Sequence, residues 1–355
     1  MISFTTLQDA KGWFLEKGKN PDVVVSSRVR FARNLENYPF PGAMKEEEEN
    51  SVTEEIVCTL KEVEGALDIR RLDTLNPLQR RMLLERNMIS QDFSLQGQKS
   101  FALKENHCLS VMINEIDHLR FSSLHGGECL KESFKELQEL DRRIEKRLPF
   151  AASLEMGYLT TELINIGTGM RISLMLHLPA LVKTGLIDKA LKVVIQLGFS
   201  AKGFFGGEEN SLGDLYQISN QTAIGLSERE MIEKLENLSE QLVHYERKAR
   251  EELLLRSRIE VEDRVYRSFG ILSNCKAINL REAVMELSSL RLGSSLGLIN
   301  LPLEGITALF FLTQKAHIQY LMGGGEEGAD EKMIDFTRAK FIRDSLLMES
   351  KDFGG

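Results

Sequence analysis

Five cations stand beside small or polar residues in separate segments of this chain. They are Arg28 and Arg30 in Ser26-Ser27-Arg28-Val29-Arg30, Arg120 after Asn114-Glu115-Ile116-Asp117-His118, Arg171 after Gly167-Thr168-Gly169-Met170, and Lys202 before Gly203. A guanidinium is planar, permanently charged and offers paired N–H donors that match phosphate oxygens, so several gathered in one place form a clamp for a polyphosphate. The glycine-containing loop Asn165-Ile166-Gly167-Thr168-Gly169 can add backbone N–H groups to such a clamp. Neither G-x-x-x-x-G-K-[ST] nor the protein-kinase pattern G-x-G-x-x-G-x-V occurs, so a P-loop or a protein-kinase-like ATP site is not the source of this chemistry.

The elements that must position these residues can be read from periodicity. Val23 to Val25 is a β-branched run that leads into a strand carrying Arg28, Arg30 and Arg33, and the apolar stretch Cys108 to Ile113 reads as a buried strand with polar groups at its end. Residues 45–66 read as a helix whose Glu46 to Glu49 run is a solvated face, and residues 131–146 as a helix burying Phe134, Leu137, Leu140 and Ile144. The apolar stretch from Ile172 to about Val182 predicts a further helix. Phe199 to Phe205 and Leu215 to Ser219 predict a strand pair around the acidic, glycine-rich loop Gly206-Gly207-Glu208-Glu209-Asn210. Ser227 and Glu230 form a capping-box pattern ahead of a long helix with a seam of Met231, Leu235, Leu238, Leu242, Tyr245 and Ala249. Beyond it, 256–350 reads as short helices interrupted at Gly293 and at Gly323-Gly324-Gly325, a separate helical domain.

A chain of 355 residues exceeds one small core, and its 45 Lys plus Arg against 53 Asp plus Glu leave a formal net charge of −8. That balance provides no global attraction to nucleic acid or an anionic membrane, so neither is expected as a partner. No apolar run approaches the roughly 18 residues of a membrane span, and a cytoplasmic location is expected. Cys58, Cys108, Cys129 and Cys275 are scattered without a C-x-x-C pair, so the expectation is reduced thiols and no metal site.

Taken in order, Ser26-Ser27-Arg28-Val29-Arg30, Asn114-Glu115-x-Asp117-His118-x-Arg120, Gly157-Tyr158, Asn165-x-Gly167-Thr168-Gly169-x-Arg171 and Gln217-Ile218-Ser219-Asn220 resemble the ATP:guanidino phosphotransferases, and within them the bacterial protein arginine kinases. The resemblance runs from about Val23 to the C-terminus and includes Glu262 to Ser268 and Leu272-Ser273-Asn274-Cys275. It implies an α+β fold: residues 23–254 as a catalytic domain with a large antiparallel sheet flanked by helices, after an N-terminal segment 1–22 and before an α-helical dimerisation and regulatory domain, 255–355. The implied reaction is transfer of the ATP γ-phosphoryl group, with Mg2+, to arginine in proteins. The implied nucleotide site comprises Ser26, Ser27, Arg28, Val29, Arg30, Arg120, Arg171, Ile172, Ser173, Leu174 and Met175, with Lys202, Gly203, Phe204, Phe205, Gly206 and Gly207. The implied partners are protein substrates with exposed arginine, a zinc-binding activator protein, the Clp protease system and a second copy of the chain in a homodimer.

Several positions depart from the family pattern. Ile116 replaces the second Glu of Asn-Glu-Glu-Asp-His, leaving Glu115; Gly207 replaces a loop Glu; Lys202 replaces an Arg; and Asn87 replaces a nucleotide-contacting His. A guanidinium must lose a proton before it attacks phosphorus, which at pH 7 costs roughly 7 to 9 kcal/mol. Two relocated bases are therefore expected as candidates: Glu162, where the family carries a cysteine, and Glu208, one residue beyond the missing loop carboxylate. The alternatives are that Glu162 only pairs with a clamp arginine and Glu208 is a solvated loop residue. The function expected is an arginine kinase, attenuated or intact. Its rivals are an inactive homologue that binds nucleotide or phosphoarginine as a regulator and, more remotely, a small-molecule guanidino kinase. In the C-terminal region, Asp335-Phe336-Thr337-Arg338-Ala339 resembles a phosphoarginine-sensing motif whose first arginine is here Ile334. Weakened or lost sensing through Asp335 and Arg338 is expected, with dimerisation through apolar positions such as Leu287, Leu290 and Leu292.

Overall fold

The computed structural model describes residues 5–7, 9–96, 99–205, 211–323 and 330–351. Strand β1 (Val24–Arg33) is followed by helix α1 (Glu46–Val63), β2 (Leu67–Arg71), α2 (Pro77–Glu85), α3 (Gln91–Ser94), β3 (Ser100–Lys104), β4 (Leu109–Ile113) and β5 (Leu119–Gly126). Helix α4 (Leu130–Glu145) leads through a short ribbon, β6 (Ala152–Ser153) and β7 (Gly157–Tyr158), to β8 (Met170–His177), α5 (Pro179–Lys183), α6 (Ile187–Gln196), β9 (Phe199–Gly203) and β10 (Leu215–Asn220). The remainder is helical: α7 (Glu228–Asn274), α8 (Leu280–Ser295), α9 (Leu303–Leu312), α10 (Lys315–Leu321) and α11 (Glu331–Lys351). Eight strands make one antiparallel sheet in the order β2-β3-β4-β5-β1-β8-β10-β9, so the expected α+β architecture is present.

Side chains alternate across a strand, and the two faces of this sheet carry two different cores. Behind it, Val29 and Phe31 of β1, Phe121 of β5, Ile172 and Leu174 of β8 and Ile218 of β10 pack against Val52 and Ile56 of α1, Leu137 and Leu140 of α4 and Leu235 and Leu242 of α7. On the front, Phe101, Met112, Leu124, Met175 and Leu215 pack with Trp13 and Phe14 of the N-terminal segment, Met82 and Leu83 of α2, and Leu287, Phe310, Phe311 and Ile342 of the C-terminal helices. The helical region thus shares a core with the sheet.

The predicted strand pair is β9 and β10, and Ser227 caps α7 by accepting from Glu230 N. The predicted seam is buried except for Tyr245, which is exposed. The predicted helix from Ile172 is instead a central strand, β8, followed by the short α5. A strand covered on both faces is a continuous apolar run, which periodicity alone does not separate from a buried helix. The expected boundary at 254/255 falls inside α7, whose one non-helical residue is Ser257 (φ −143°, ψ 43°). Gly293 does not interrupt α8; a Cβ there would come within 2.3 Å of Val265, so the glycine lets α8 lie close on α7. Leu287, Leu290 and Leu292, the expected dimer positions, are buried within the chain's own fold. Among the described residues no helix is long and apolar enough to cross a membrane.

Candidate active site

Strand register brings the cations together. Arg30 of β1 lies opposite Ser122 of β5 and Arg171 of β8, while Arg28 lies opposite Leu124 and Ser173. Arg120 is opposite Ala32 of β1 and Met112 of β4. Directly opposed residues in an antiparallel ladder share a face, so all four arginines project from the front of the sheet. Lys202, opposite Gln217, extends that face to the edge strand, where it is exposed.

These cations are poorly neutralised. Arg28 Nε donates to Ser122 Oγ (2.8 Å) and Arg120 Nη1 to Glu115 Oε2 (2.6 Å), but the buried Arg30 Nε has no hydrogen-bond partner among the described residues. Burial, and then the charge of Arg120, push the Arg28 guanidinium down to about 10. Burial together with Arg28, Arg120 and Arg171 holds Arg30 well below the usual range. Arg171 is also lowered, chiefly by burial, with Glu162 opposing the shift. Repelling cations held in place by the surrounding sheet are a site that an anion would stabilise. Ser26, Arg28, Ser173, Met175 and Phe204 line one small cavity of about 20 Å³ together with Trp13, Asn87, Leu124 and Gln217.

The loop from Asn114 to His118 is built to aim one carboxylate. Asn114 takes the left-handed conformation (φ 56°), which asparagine tolerates, and its Nδ2 donates to Glu49 O and Thr53 Oγ1. Asp117 Oδ1 accepts from Asn34 Nδ2 (2.7 Å) and Thr161 N (2.8 Å). His118 Nδ1 accepts from Leu35 N (2.9 Å) and its Nε2 lies 3.0 Å from Pro39 O, an arrangement that fixes the Nε2–H tautomer. With these groups anchoring the loop, Glu115 is left beside Arg120, held also by Ser90 Oγ. Both Glu115 oxygens are therefore engaged, which suits a residue that positions Arg120 better than a free base.

Glu162 is placed by the same loop. Thr161 Oγ1 donates to the carbonyl of Ile116 (2.8 Å), so the segment carrying Glu162 is tied directly to the position where the family carboxylate is missing. Glu162 is exposed, accepts from Asn165 Nδ2 (3.0 Å) and acts electrostatically on Arg171. Glu208, Gly206 and Gly207 lie outside the described residues.

Other expected site residues part company here because a strand alternates. Ser26, Arg28, Arg30, Arg171, Ser173 and Met175 share the front face, whereas Val29, Ile172 and Leu174 are buried in the core behind. Ser27 is structural: its Oγ donates to Gly127 O and accepts from Cys129 N. Gly203 ends β9, and Phe204 and Phe205 pack toward α9, with Phe204 6.0 Å from Phe311 and Phe205 6.5 Å from Phe310 between ring centroids. Arg338 is not solvated. It is buried and donates to Thr313 O, Ile278 O and Asp335 Oδ1, while Ile334 is fully buried in the core. Sequence reasoning missed Ser90, Ser122 and Thr161, whose roles depend on strand register and on loops distant in sequence.

Two family models match this chain: the ATP:guanido phosphotransferase C-terminal catalytic domain over residues 48–249 and the protein-arginine kinase McsB C-terminal domain over 258–354. The chain is 38% identical to the protein-arginine kinase of Bacillus subtilis over 349 residues, covering 97% of this chain and 95% of that protein. It is 39% identical to that of Bacillus licheniformis over 343 residues, covering 95% and 94%. Among solved structures it is similar in fold to lombricine kinase (TM-score 0.56, 22% identity, 70% of this chain and 71% of that one). It is likewise similar to the duplicated taurocyamine kinase of Schistosoma mansoni with transition-state analogue components (TM-score 0.58, 24% identity, 70% of this chain and 36% of that one).

Proposed function

Because the chain belongs to the ATP:guanido phosphotransferase family, among its protein-arginine kinases, we propose that it transfers the γ-phosphoryl group of ATP to the guanidinium of arginine side chains in proteins. The observation that carries this reading is the front face of the sheet, where Arg28, Arg30, Arg120 and Arg171 converge and Arg30 Nε is buried without a partner among the described residues. Phosphoryl transfer asks a protein mainly to position the reactants and neutralise charge. The four guanidinium groups do both for a triphosphate laid across the central strands.

Mg2+ prefers oxygen ligands and would be held chiefly by the nucleotide's own phosphate oxygens and by water, because both Glu115 oxygens are already engaged by Ser90 and Arg120. Once bound with ATP, the ion supplies neutralisation of phosphoryl charge. Proton removal falls to Glu162. A substrate guanidinium gives one proton to that carboxylate, its nitrogen forms the N–P bond, and the P–O bond to ADP breaks. Support for this assignment is the hydrogen bond from Thr161 to Ile116, which ties the segment carrying Glu162 to the vacated family position, and the electrostatic action of Glu162 on Arg171.

The test is incubation of purified protein with γ-labelled ATP and an arginine-rich protein, scored for acid-labile phosphate. Wild type is expected to transfer label, and Glu162→Gln to reduce the rate by about 10²- to 10⁴-fold, the range for a positioned base. The second reading, an inactive nucleotide-binding regulator, is favoured by Ile116 and by the full engagement of Glu115. Wild type that binds ATP yet transfers no label, even with an activator, selects it.

A further inference from the structure

We propose that Glu16, Cys108 and His125 form a binding site for one divalent transition-metal ion of the zinc class. Three different elements deliver the three ligands. Glu16 follows the helical turn Trp13–Leu15 in the N-terminal segment, Cys108 immediately precedes β4, and His125 lies in β5. The ligand atoms lie within 4.8 Å of one another, with Cys108 Sγ 2.9 Å from Glu16 Oε1 and His125 Nδ1 2.6 Å from Glu16 Oε2. In a tetrahedral zinc site with bonds of about 2.0 to 2.3 Å, ligand atoms sit roughly 3.3 to 3.8 Å apart. The observed spacing needs only small side-chain adjustments.

A second observation concerns the far side of the imidazole. His125 Nε2 lies 3.0 Å from Ser123 Oγ and 3.4 Å from Glu136 Oε2, and Glu136 is in turn paired with Lys104 at 2.9 Å. A carboxylate on the nitrogen opposite the ligating one fixes ring orientation and tautomer, and this outer contact accompanies most histidine metal ligands. One thiolate, one imidazole and one carboxylate suit zinc, cobalt or nickel rather than Mg2+ or Ca2+, so the site does not compete with the nucleotide's ion. Binding displaces the Cys108 thiol proton and the His125 Nδ1 proton, and the charges of Glu16 and the thiolate balance the dication. The spacing of cysteines in the chain is silent on this site because it uses one cysteine and is assembled by the sheet.

The ion would clip the N-terminal segment to the sheet. Trp13, three residues before Glu16, lines the cavity beside Arg28. The experiment uses the full-length protein, reduced and stripped by a chelator, titrated first with Co2+ and then with Zn2+ against a chromophoric competitor. One Co2+ per chain is expected, with a thiolate-to-cobalt charge-transfer band that Cys108→Ser abolishes and Cys58→Ser leaves intact. Glu136→Gln is expected to weaken Zn2+ binding by about 10- to 100-fold, the usual consequence of losing an outer partner. Absence of the charge-transfer band in wild type overturns the proposal whatever the variants do. Its persistence in folded Cys108→Ser, verified by circular dichroism, does so equally.

Discussion

Arg30 and Arg33 lie three residues apart on β1, face opposite sides of the sheet and have opposite kinds of surroundings. Arg33 is buried and fully committed: its Nε and Nη2 grip both oxygens of Asp141 (3.0 and 2.8 Å), its Nη1 donates to the carbonyls of Ala32 and Thr168, and its guanidinium stacks 3.7 Å from the Tyr158 ring centroid. Arg30 has a buried Nε without a partner among the described residues and faces Arg28, Arg120 and Arg171. An arginine that serves the fold is surrounded by acceptors, and one left short of them is a candidate to meet a ligand. Arg338, bound to two carbonyls and Asp335, belongs with Arg33.

Replacing each arginine breaks the comparison most directly. Arg30→Met should lower phosphoryl transfer by about 10³-fold or more, the scale for a cation that neutralises a transferring phosphoryl group. It should at the same time raise the thermal midpoint of the ligand-free protein, because a charge held among like charges has been removed. A kinetic assay paired with a melting curve reads both, and a destabilised Arg30→Met would show that the residue serves the fold after all.

Arg33→Met should do the reverse. Removing one partner of a buried pair costs about 3 to 5 kcal/mol, because Asp141 is left in an apolar setting without its counterion. Urea unfolding measures this loss. ATP affinity of the remaining folded protein should be unchanged, since Arg33 points into the core behind the sheet.

This contrast was half legible in the sequence. Alternation on a strand puts residues 28 and 30 on one face and 33 on the other, and the glycine- and polar-flanked arginines stood out by type as candidates for phosphate contact. The Asp141 partner was not legible, since it comes from α4, 108 residues away. Nor was the strand character of Ile172 to His177, where burial on both faces erases the period that would have identified it. The surroundings of the C-terminal motif were hidden for a related reason: Arg338 has the spacing of a sensor, but the Ile278 and Thr313 carbonyls to which it donates are visible only when the helices are assembled.

A smaller effect tests the loop that aims Glu115. Burial holds His118 down to about 4 against 6.5 in the unfolded chain. Its neutral ring therefore contributes fully above about pH 6.5, and that contribution is lost progressively as pH falls toward 4, where protonation breaks the bond accepted from Leu35 N. The stake is about 3 kcal/mol. His118→Gln should be less stable than wild type at neutral pH, and its stability should change less between pH 7 and 4.5. Parallel pH profiles for the two proteins would show that His118 is not the titrating group.

The smallest expected effect is at Arg338, and it sharpens the comparison because it is close to nothing. A dianionic phosphoarginine needs exposed, unengaged donors. Arg338 Nε and Nη1 are occupied by carbonyls and a carboxylate, and Ile334 presents a buried hydrocarbon where a second cation would stand. Recruiting Arg338 would strip the Thr313 and Ile278 carbonyls of their donor inside the core, at a cost of roughly 1 to 3 kcal/mol for each group left unpaired. Phosphoarginine added over the micromolar to millimolar range should therefore leave activity and thermal midpoint essentially unchanged through this position. Arg338→Met should unfold more easily but respond to phosphoarginine as wild type does. A saturable activation that Arg338→Lys abolishes would overturn this, and would place Arg338 with Arg30 among the arginines that wait for a ligand.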